Sequence, residues 1–83
     1  MSEEDKGSLL AIVARAVREV DGGVEVDSTS VDRDFSEIGL DSVGALDVVG
    51  RVERALGIHL SDEELTRIAS VSDLIRAIRG HTA

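Results

Sequence analysis

The sequence predicts an all-α fold: a four-helix bundle of three longer helices and one short helix, with a long ordered loop between helices 1 and 2. Aliphatic residues recur at the helical period in three separate stretches, and a nearly complete helix-start signature stands between the last two. The loss of that period between Gly22 and Leu40 defines the long connection.

Helix 1 rests on Leu9, Ile12, Val13, Ala16, Val17 and Val20, which fall at i, i+3, i+4, i+7, i+8 and i+11. It is expected from about Ser8 to Val20, capped by Ser8 or Asp5 and ended by Gly22-Gly23. The connection that follows, roughly 18 residues, is long for a small domain, and such loops tend to be functional. Val24, Val26, Val31, Phe35, Ile38 and Leu40 are spread along it, so it should pack down as an ordered belt. A short helical turn is expected near Asp34 to Ile38, with Phe35 as a core anchor.

Helix 2 is expected from Ser42 to Leu56, capped by Asp41 and closed by Gly57. At about 100° per residue, Ala45, Leu46, Val48, Val49, Val52, Ala55 and Leu56 share one broad apolar face. Val43, Asp47, Gly50, Arg51 and Arg54 collect on the other side, which leaves Val43 as an apolar residue facing water. Ser61 and Glu64 form a capping box, and Leu60 and Leu65 are spaced as a hydrophobic staple. The short helix they start should end by about Ala69. Ser70 then caps a last helix on which Val71, Leu74, Ile75 and Ile78 form the apolar stripe. Arg76 and Arg79 suit its C-terminal dipole, Gly80 is expected to stop it, and His81-Thr82-Ala83 to fray.

Composition narrows the function. Eighty-three residues make one domain, 1–83, with its core over about residues 8–80. There is no cysteine, so disulfides and thiolate metal sites are excluded, and His59 and His81 are too few and too far apart for a zinc site. Phe35 is the only aromatic, which leaves little for base stacking. A net charge of −8 disfavours nucleic acid and anionic membranes as partners and favours partners with basic faces. No apolar run reaches membrane-spanning length, and Met1-Ser2-Glu3-Glu4-Asp5 is unlike a basic signal-peptide start. A cytoplasmic monomer is the expectation.

Catalytic motifs fail one by one. Gly39-Leu40-Asp41-Ser42-Val43-Gly44 misses the spacing of a nucleophile elbow, and no strand pattern precedes it. Asp32-Arg33-Asp34-Phe35-Ser36 begins like a calcium loop, but Glu37 stands at its sixth position and Val43 at its twelfth. What remains is Ser42 as an acceptor. With Asp41 as cap, Ser42 takes the first helical position and its hydroxyl lies outside the backbone ladder. A phosphate ester there would gain roughly 0.3–1 kcal/mol from the helix dipole. Asp-Ser is also a common helix start with no function attached, and spacing alone leaves both readings open.

Asp34-Phe35-Ser36-Glu37-Ile38-Gly39-Leu40-Asp41-Ser42-Val43 before an amphipathic helix resembles the acyl and peptidyl carrier protein family. The likeness continues through Leu56-Gly57-Ile58-His59-Leu60-Ser61-Asp62-Glu63-Glu64-Leu65 and Val71-Ser72-Asp73-Leu74, in the right order and lengths. The resemblance implies no catalytic residue and no metal. It implies that Ser42, beside Asp41, carries covalent 4'-phosphopantetheine, transferred from coenzyme A by a phosphopantetheinyl transferase. The thiol of that arm would hold an acyl or aminoacyl group as a thioester. Partner enzymes (acyl-transferring, ketosynthase or adenylating) would meet helix 2 and its loop at Leu40, Asp41, Val43, Asp47, Gly50, Arg51 and Arg54.

The chain departs from carriers of primary fatty acid synthesis. Its helix 2 mixes Asp47 and Glu53 with Arg51 and Arg54 where those resemble one another in being strongly acidic, and Val43 replaces the usual leucine. Gly44 and Gly50 each cost a helix interior about 1 kcal/mol relative to alanine. A stand-alone carrier for polyketide or specialised fatty acyl biosynthesis is expected. The alternatives are an aminoacyl or peptidyl carrier of nonribosomal peptide synthesis and an acidic helical adaptor that is never loaded. Val48, Val49, Val52 and Ala55 are compatible both with a cargo cavity between helices 2 and 4 and with a dense core.

Overall fold

The computed structural model describes residues 3–82, with side chains described for 9–81. Four helices follow in order: α1 (Glu3–Val20), α2 (Ser42–Leu56), α3 (Asp62–Thr66) and α4 (Val71–Thr82). The described residues form no strand beyond one isolated antiparallel bridge between Asp34 and Ser70. The all-α four-helix architecture is therefore the one the periodicity predicts.

The α1 helix starts earlier than expected, so Asp5 and Ser8 lie within its span rather than at its N-terminal boundary. Leu9, Val13, Ala16 and Val17 are buried, and Ile12 and Val20 pack against them. The exit is an Asx turn: the Asp21 carboxylate accepts from the Gly23 N–H at 2.9 Å, and the Asp21 carbonyl accepts from the Val24 N–H at 3.0 Å.

The long connection is an ordered belt because both of its edges are bonded. Asp27 braces its first half, its carboxylate accepting from the Thr29 N–H at 2.9 Å and the Thr29 hydroxyl at 2.6 Å. Further on, the Phe35 N–H donates to the Ala69 carbonyl at 2.8 Å, and the Ser72 N–H donates to the Val31 carbonyl at 2.9 Å. The Ser72 hydroxyl donates to Asp32 Oδ1 at 2.6 Å. These bonds tie the belt to the α3–α4 junction. The expected turn is present, with the Glu37 and Ile38 N–H groups both donating to the Asp34 carbonyl. Val24, Phe35 and Leu40 are buried, so Phe35 is the anchor its spacing suggests.

Ser61 and Glu64 make both arms of the capping box at the start of α3. The helix stops at Thr66, short of the expected Ala69. The Arg67 and Ile68 N–H groups donate to carbonyls only three residues back, which tightens and ends the helix. Ala69 is then drawn into its bond with Phe35, and Ser70 restarts the helix. The buried Ser70 hydroxyl accepts from the Asp73 N–H at 3.2 Å, while Asp73 Oδ2 accepts from the Ala69 N–H at 3.0 Å.

Val71, Leu74, Ile75 and Ile78 of α4 are all buried, as their stripe requires. Gly80 does not stop the helix, which runs on through His81 to Thr82. His81 is no frayed tail, since its Nε2 lies 2.9 Å from Glu64 Oε1 of α3 and holds the last turn in place. Ala83 lies outside the described residues. Arg76 ion-pairs with Asp73 at 3.0 Å, leaving Arg79 and His81 as the basic residues of the last turn.

The core is one cluster in which α1 packs along α2 and α4. Val48, Val49 and Val52 lie in it with Leu74 and Ile78, each burial contributing about 1.5–3 kcal/mol. Ala55 is exposed and lines no interior space. No helix among the described residues is long and apolar enough to cross a membrane.

Candidate functional site at the start of the second helix

Leu40, 4% exposed, pins the end of the belt to the core, and its N–H donates to the Phe35 carbonyl at 2.9 Å. The next residue, Asp41, stays extended (φ −84, ψ 180) and its carboxylate accepts from the Gly44 N–H at 2.7 Å. Asp41 is therefore the cap and Ser42 the first residue of α2. No hydrogen bond among the described residues engages the exposed Ser42 hydroxyl. The Ser42 and Val43 amides have no intrahelical acceptor at this end of the helix. An exposed hydroxyl beside unpaired amides is an acceptor position suited to an anionic ester.

Two glycines set this corner. Gly39 has φ 107, which side-chain-bearing residues rarely adopt, and turns the chain from the belt into the cap. At Gly44 an added Cβ would lie 3.1 Å from Asp41 Oδ1 and 3.4 Å from Leu40 Cδ2. The helix tolerates glycine there because the capping carboxylate needs the space. Gly50 has no such neighbour; the nearest atom to an added Cβ is Arg54 Nη1 at 3.9 Å.

The site residues expected from sequence divide. Asp41, Ser42, Val43, Asp47 and Arg54 are exposed, while Gly50 and Arg51 are half-buried along the same side of α2. Leu40 must be corrected: it is a core residue, and its side chain offers nothing to a partner. The apolar face of α2 is also narrower than its spacing suggests. Val48, Val49 and Val52 are buried and Ala45 and Leu56 pack against them, a sector of about 100°. Leu46 and Ala55 fall on its two rims and are exposed. Leu46, 60% exposed, joins Val43 at 76% in an apolar pair next to Ser42. Periodicity alone could not find Leu46, because a rim position is assigned only once the neighbouring helices are placed.

Charges on α2 are also arranged differently from a simple mixed surface. Arg51 Nε is 3.1 Å from Asp47 Oδ1, and Arg51 Nη1 is 3.8 Å from Glu19 of α1. Glu53 is withdrawn from the outer face. Its Oε2 accepts from the Leu60 N–H at 2.7 Å and lies 3.3 Å from His59 Nδ1, holding the α2–α3 loop. His59 pairs with Glu53 and His81 with Glu64, so neither imidazole serves Ser42 as a base. Elsewhere, the hydrogen bond from His81, aided by the Ser61 N–H, holds the Glu64 carboxyl below its usual range. The Thr29 hydroxyl and amide do the same for Asp27. Among the described residues no group of His, Asp and Glu side chains could hold a metal ion.

The site is thus a small helical bundle that presents an exposed serine hydroxyl at the start of α2. Comparison with known proteins supplies the family. A phosphopantetheine attachment site family model matches residues 9–78. An acyl carrier protein from Rickettsia bellii (strain RML369-C) is 33% identical over 60 residues, which span 71% of this chain and 70% of the relative. A 3-methylorcinaldehyde synthase from a Phoma species is 29% identical over 82 residues, 95% of this chain but 3% of that protein. An erythronolide synthase from Saccharopolyspora erythraea is 40% identical over 58 residues, 70% of this chain and 2% of that protein. No solved structure matches. The chain belongs to the acyl carrier protein family: it bears covalent 4'-phosphopantetheine and carries acyl groups without catalysing their chemistry. Members of this family are substrates of phosphopantetheinyl transferases and of the enzymes of their pathways.

Proposed function

We propose that Ser42 is the phosphopantetheine attachment point of a single carrier domain over residues 8–80, working in the cytoplasm in polyketide or specialised fatty acyl biosynthesis. The observation that carries the attachment is the free hydroxyl of Ser42 at the first position of α2, with Asp41 already serving as its cap. When bound, the prosthetic arm supplies a thiol that holds an acyl group as a thioester, chemistry this cysteine-free chain lacks. The chain's own contribution is to fix the tether and keep it outward. Asp41 fixes the register, Gly39 and Gly44 give it room, and the unpaired amides of Ser42 and Val43 favour the phosphate.

The pathway assignment rests on two supports. Two polyketide synthases match at 90% and 95% of this chain, although the chain is a small part of each. The neutralised outer face of α2 also differs from the acidic helix expected of a primary fatty acid carrier. Incubation with coenzyme A and a broad-specificity phosphopantetheinyl transferase should add one arm, read by intact-protein mass, and Ser42→Ala should add none. Modification of the Ser42→Ala protein would overturn the attachment site. For the pathway, the loaded carrier should accept acyl or malonyl groups from an acyltransferase and remain unloaded by an amino-acid-adenylating enzyme. The opposite pattern would mark a nonribosomal peptide carrier, and no arm at all would leave only a helical adaptor. Efficient turnover by primary fatty acid synthase enzymes would remove the dedicated-pathway reading.

A further inference from the structure

The position of Ser42 is set from outside α2 as well as from within it. Leu40, two residues before the serine, has its side chain in the core and donates its N–H to the Phe35 carbonyl at 2.9 Å. Phe35 is itself fixed, since its ring is buried and its N–H donates to the Ala69 carbonyl at 2.8 Å. Ala69 has no helix to hold it, because it lies between Thr66, the end of α3, and Val71, the start of α4. Its own N–H donates to Asp73 Oδ2 of α4 at 3.0 Å. The bonds therefore run from Asp73 to Ala69, from Ala69 to Phe35 and from Phe35 to Leu40. From there a single residue, the cap Asp41, leads to Ser42.

The two hydrogen bonds at the start of α4 differ in what they hold. Ser70 Oγ accepts from the Asp73 N–H at 3.2 Å and so caps the helix itself. The Asp73 carboxylate reaches the other way, out of the helix, while its Oδ1 lies 3.0 Å from Arg76 Nη2. Ala69 precedes the cap, so its N–H is not one of the donors that α4 leaves unpaired. The bond from Ala69 to Asp73 therefore fixes the junction and what hangs from it.

We infer that Asp73 is a positioning residue for the transfer of phosphopantetheine to Ser42, acting through Ala69, Phe35 and Leu40. This rests on the reading of Ser42 as the attachment point and adds a remote residue to it. In the transfer, the Ser42 oxygen bonds to the pantetheine-side phosphorus of coenzyme A and the pyrophosphate bond breaks. The adenosine bisphosphate leaves, and the serine proton passes to a base of the transferase. Without the Asp73 carboxylate the Ala69 N–H turns to water, and the Ala69 carbonyl, Phe35 and Leu40 are free to shift together. Ser42 then leaves its line of attack, and a small displacement of a nucleophile slows the chemical step steeply. Docking of the transferase is unaffected, because no residue of α2 changes.

The test is steady-state loading of the full chain by a phosphopantetheinyl transferase, with kcat and KM for the carrier followed by intact-protein mass. An unaltered chain that takes no arm fails the attachment reading, whereas one that loads isolates this inference. Asp73→Ala should lower kcat at least about threefold and leave KM within about twofold. Asp73→Asn should restore kcat, since its amide oxygen still accepts from the Ala69 N–H. Ser70→Ala loses the buried arm of the cap and Arg76→Ala the ion pair, and both should keep the unaltered kcat. Backbone N–H shifts of Leu40 and Ser42 should move in Asp73→Ala and stay in place in Ser70→Ala. If Asp73→Ala does not fold, Asp73→Glu replaces it with the same expectation, keeping the charge but setting it one methylene further out. A kcat lowered less than about threefold, a fall of the same size in Ser70→Ala, or no recovery in Asp73→Asn would overturn the inference.

Discussion

Ser42 and Ser61 both stand at the start of a helix, yet one hydroxyl is free and the other is consumed. Ser61 is the cap of α3, and its hydroxyl accepts from the Glu64 N–H at 3.2 Å while Glu64 reaches back to the Ser61 N–H at 2.8 Å. Ser42 sits one position further in, because Asp41 has taken the cap of α2. Ser70 repeats the Ser61 arrangement inside the protein at 5% exposure. A shift of one residue relative to the cap therefore decides whether a serine stabilises a helix or is left available for chemistry. On the proposed attachment at Ser42, register alone separates the loaded serine from the two capping ones.

The sharpest way to break that comparison is to exchange the two roles. Combining Asp41→Ser with Ser42→Asp moves the hydroxyl into the cap and should abolish loading by phosphopantetheinyl transferase, while urea denaturation shows the fold retained. Loading at an undiminished rate would mean that register does not matter. The single change Ser42→Ala should also abolish loading and leave the unfolding midpoint unmoved, since that hydroxyl has no partner among the described residues.

Smaller effects are expected where the hydroxyl is structural. Ser70→Ala should cost about 1–2 kcal/mol in urea denaturation, because a buried cap leaves the Asp73 N–H without its acceptor. Ser61→Ala should cost about 0.5–1 kcal/mol at its exposed cap, and both variants should load normally. Intact-protein mass and equilibrium unfolding measure the two properties independently.

The smallest effect is on pH. The Glu64 carboxyl is held below its ordinary value of 4.5, chiefly by the His81 hydrogen bond. A carboxyl lowered on folding contributes stability above its unfolded value, and that contribution fades as pH falls through the folded one. The stability difference between the unaltered chain and Glu64→Gln should therefore shrink as pH drops below about 4.5. A difference that stays constant from neutral pH to pH 3 would show that the His81–Glu64 contact does not brace α3.

Much of this was legible because its causes are local. Asp41, Gly57 and the Ser61–Glu64 pair mark helix ends through bonds that span only a few residues, and all act as their spacing predicts. The free position of Ser42 followed directly from the cap. Errors arose where distant segments compete for a residue. Leu40, Leu46, Ala55 and Glu53 each have a chemistry that suits either side of a helix or loop, and their neighbours decided which. Gly80 is a reasonable helix stop in isolation, but His81 beyond it found Glu64 seventeen residues earlier in the chain.

The chain by itself determined the helices, their caps and the exposed serine, because hydrogen-bond register and the spacing of aliphatic residues act within a few positions. Only the tertiary structure decided how wide the buried sector of α2 is, that Val43 and Leu46 form one apolar pair, and that Arg51 is held between Asp47 and Glu19. Those outcomes depend on where α1, the belt and the α2–α3 loop come to rest against α2, and the packing of remote segments leaves no periodic mark in the sequence.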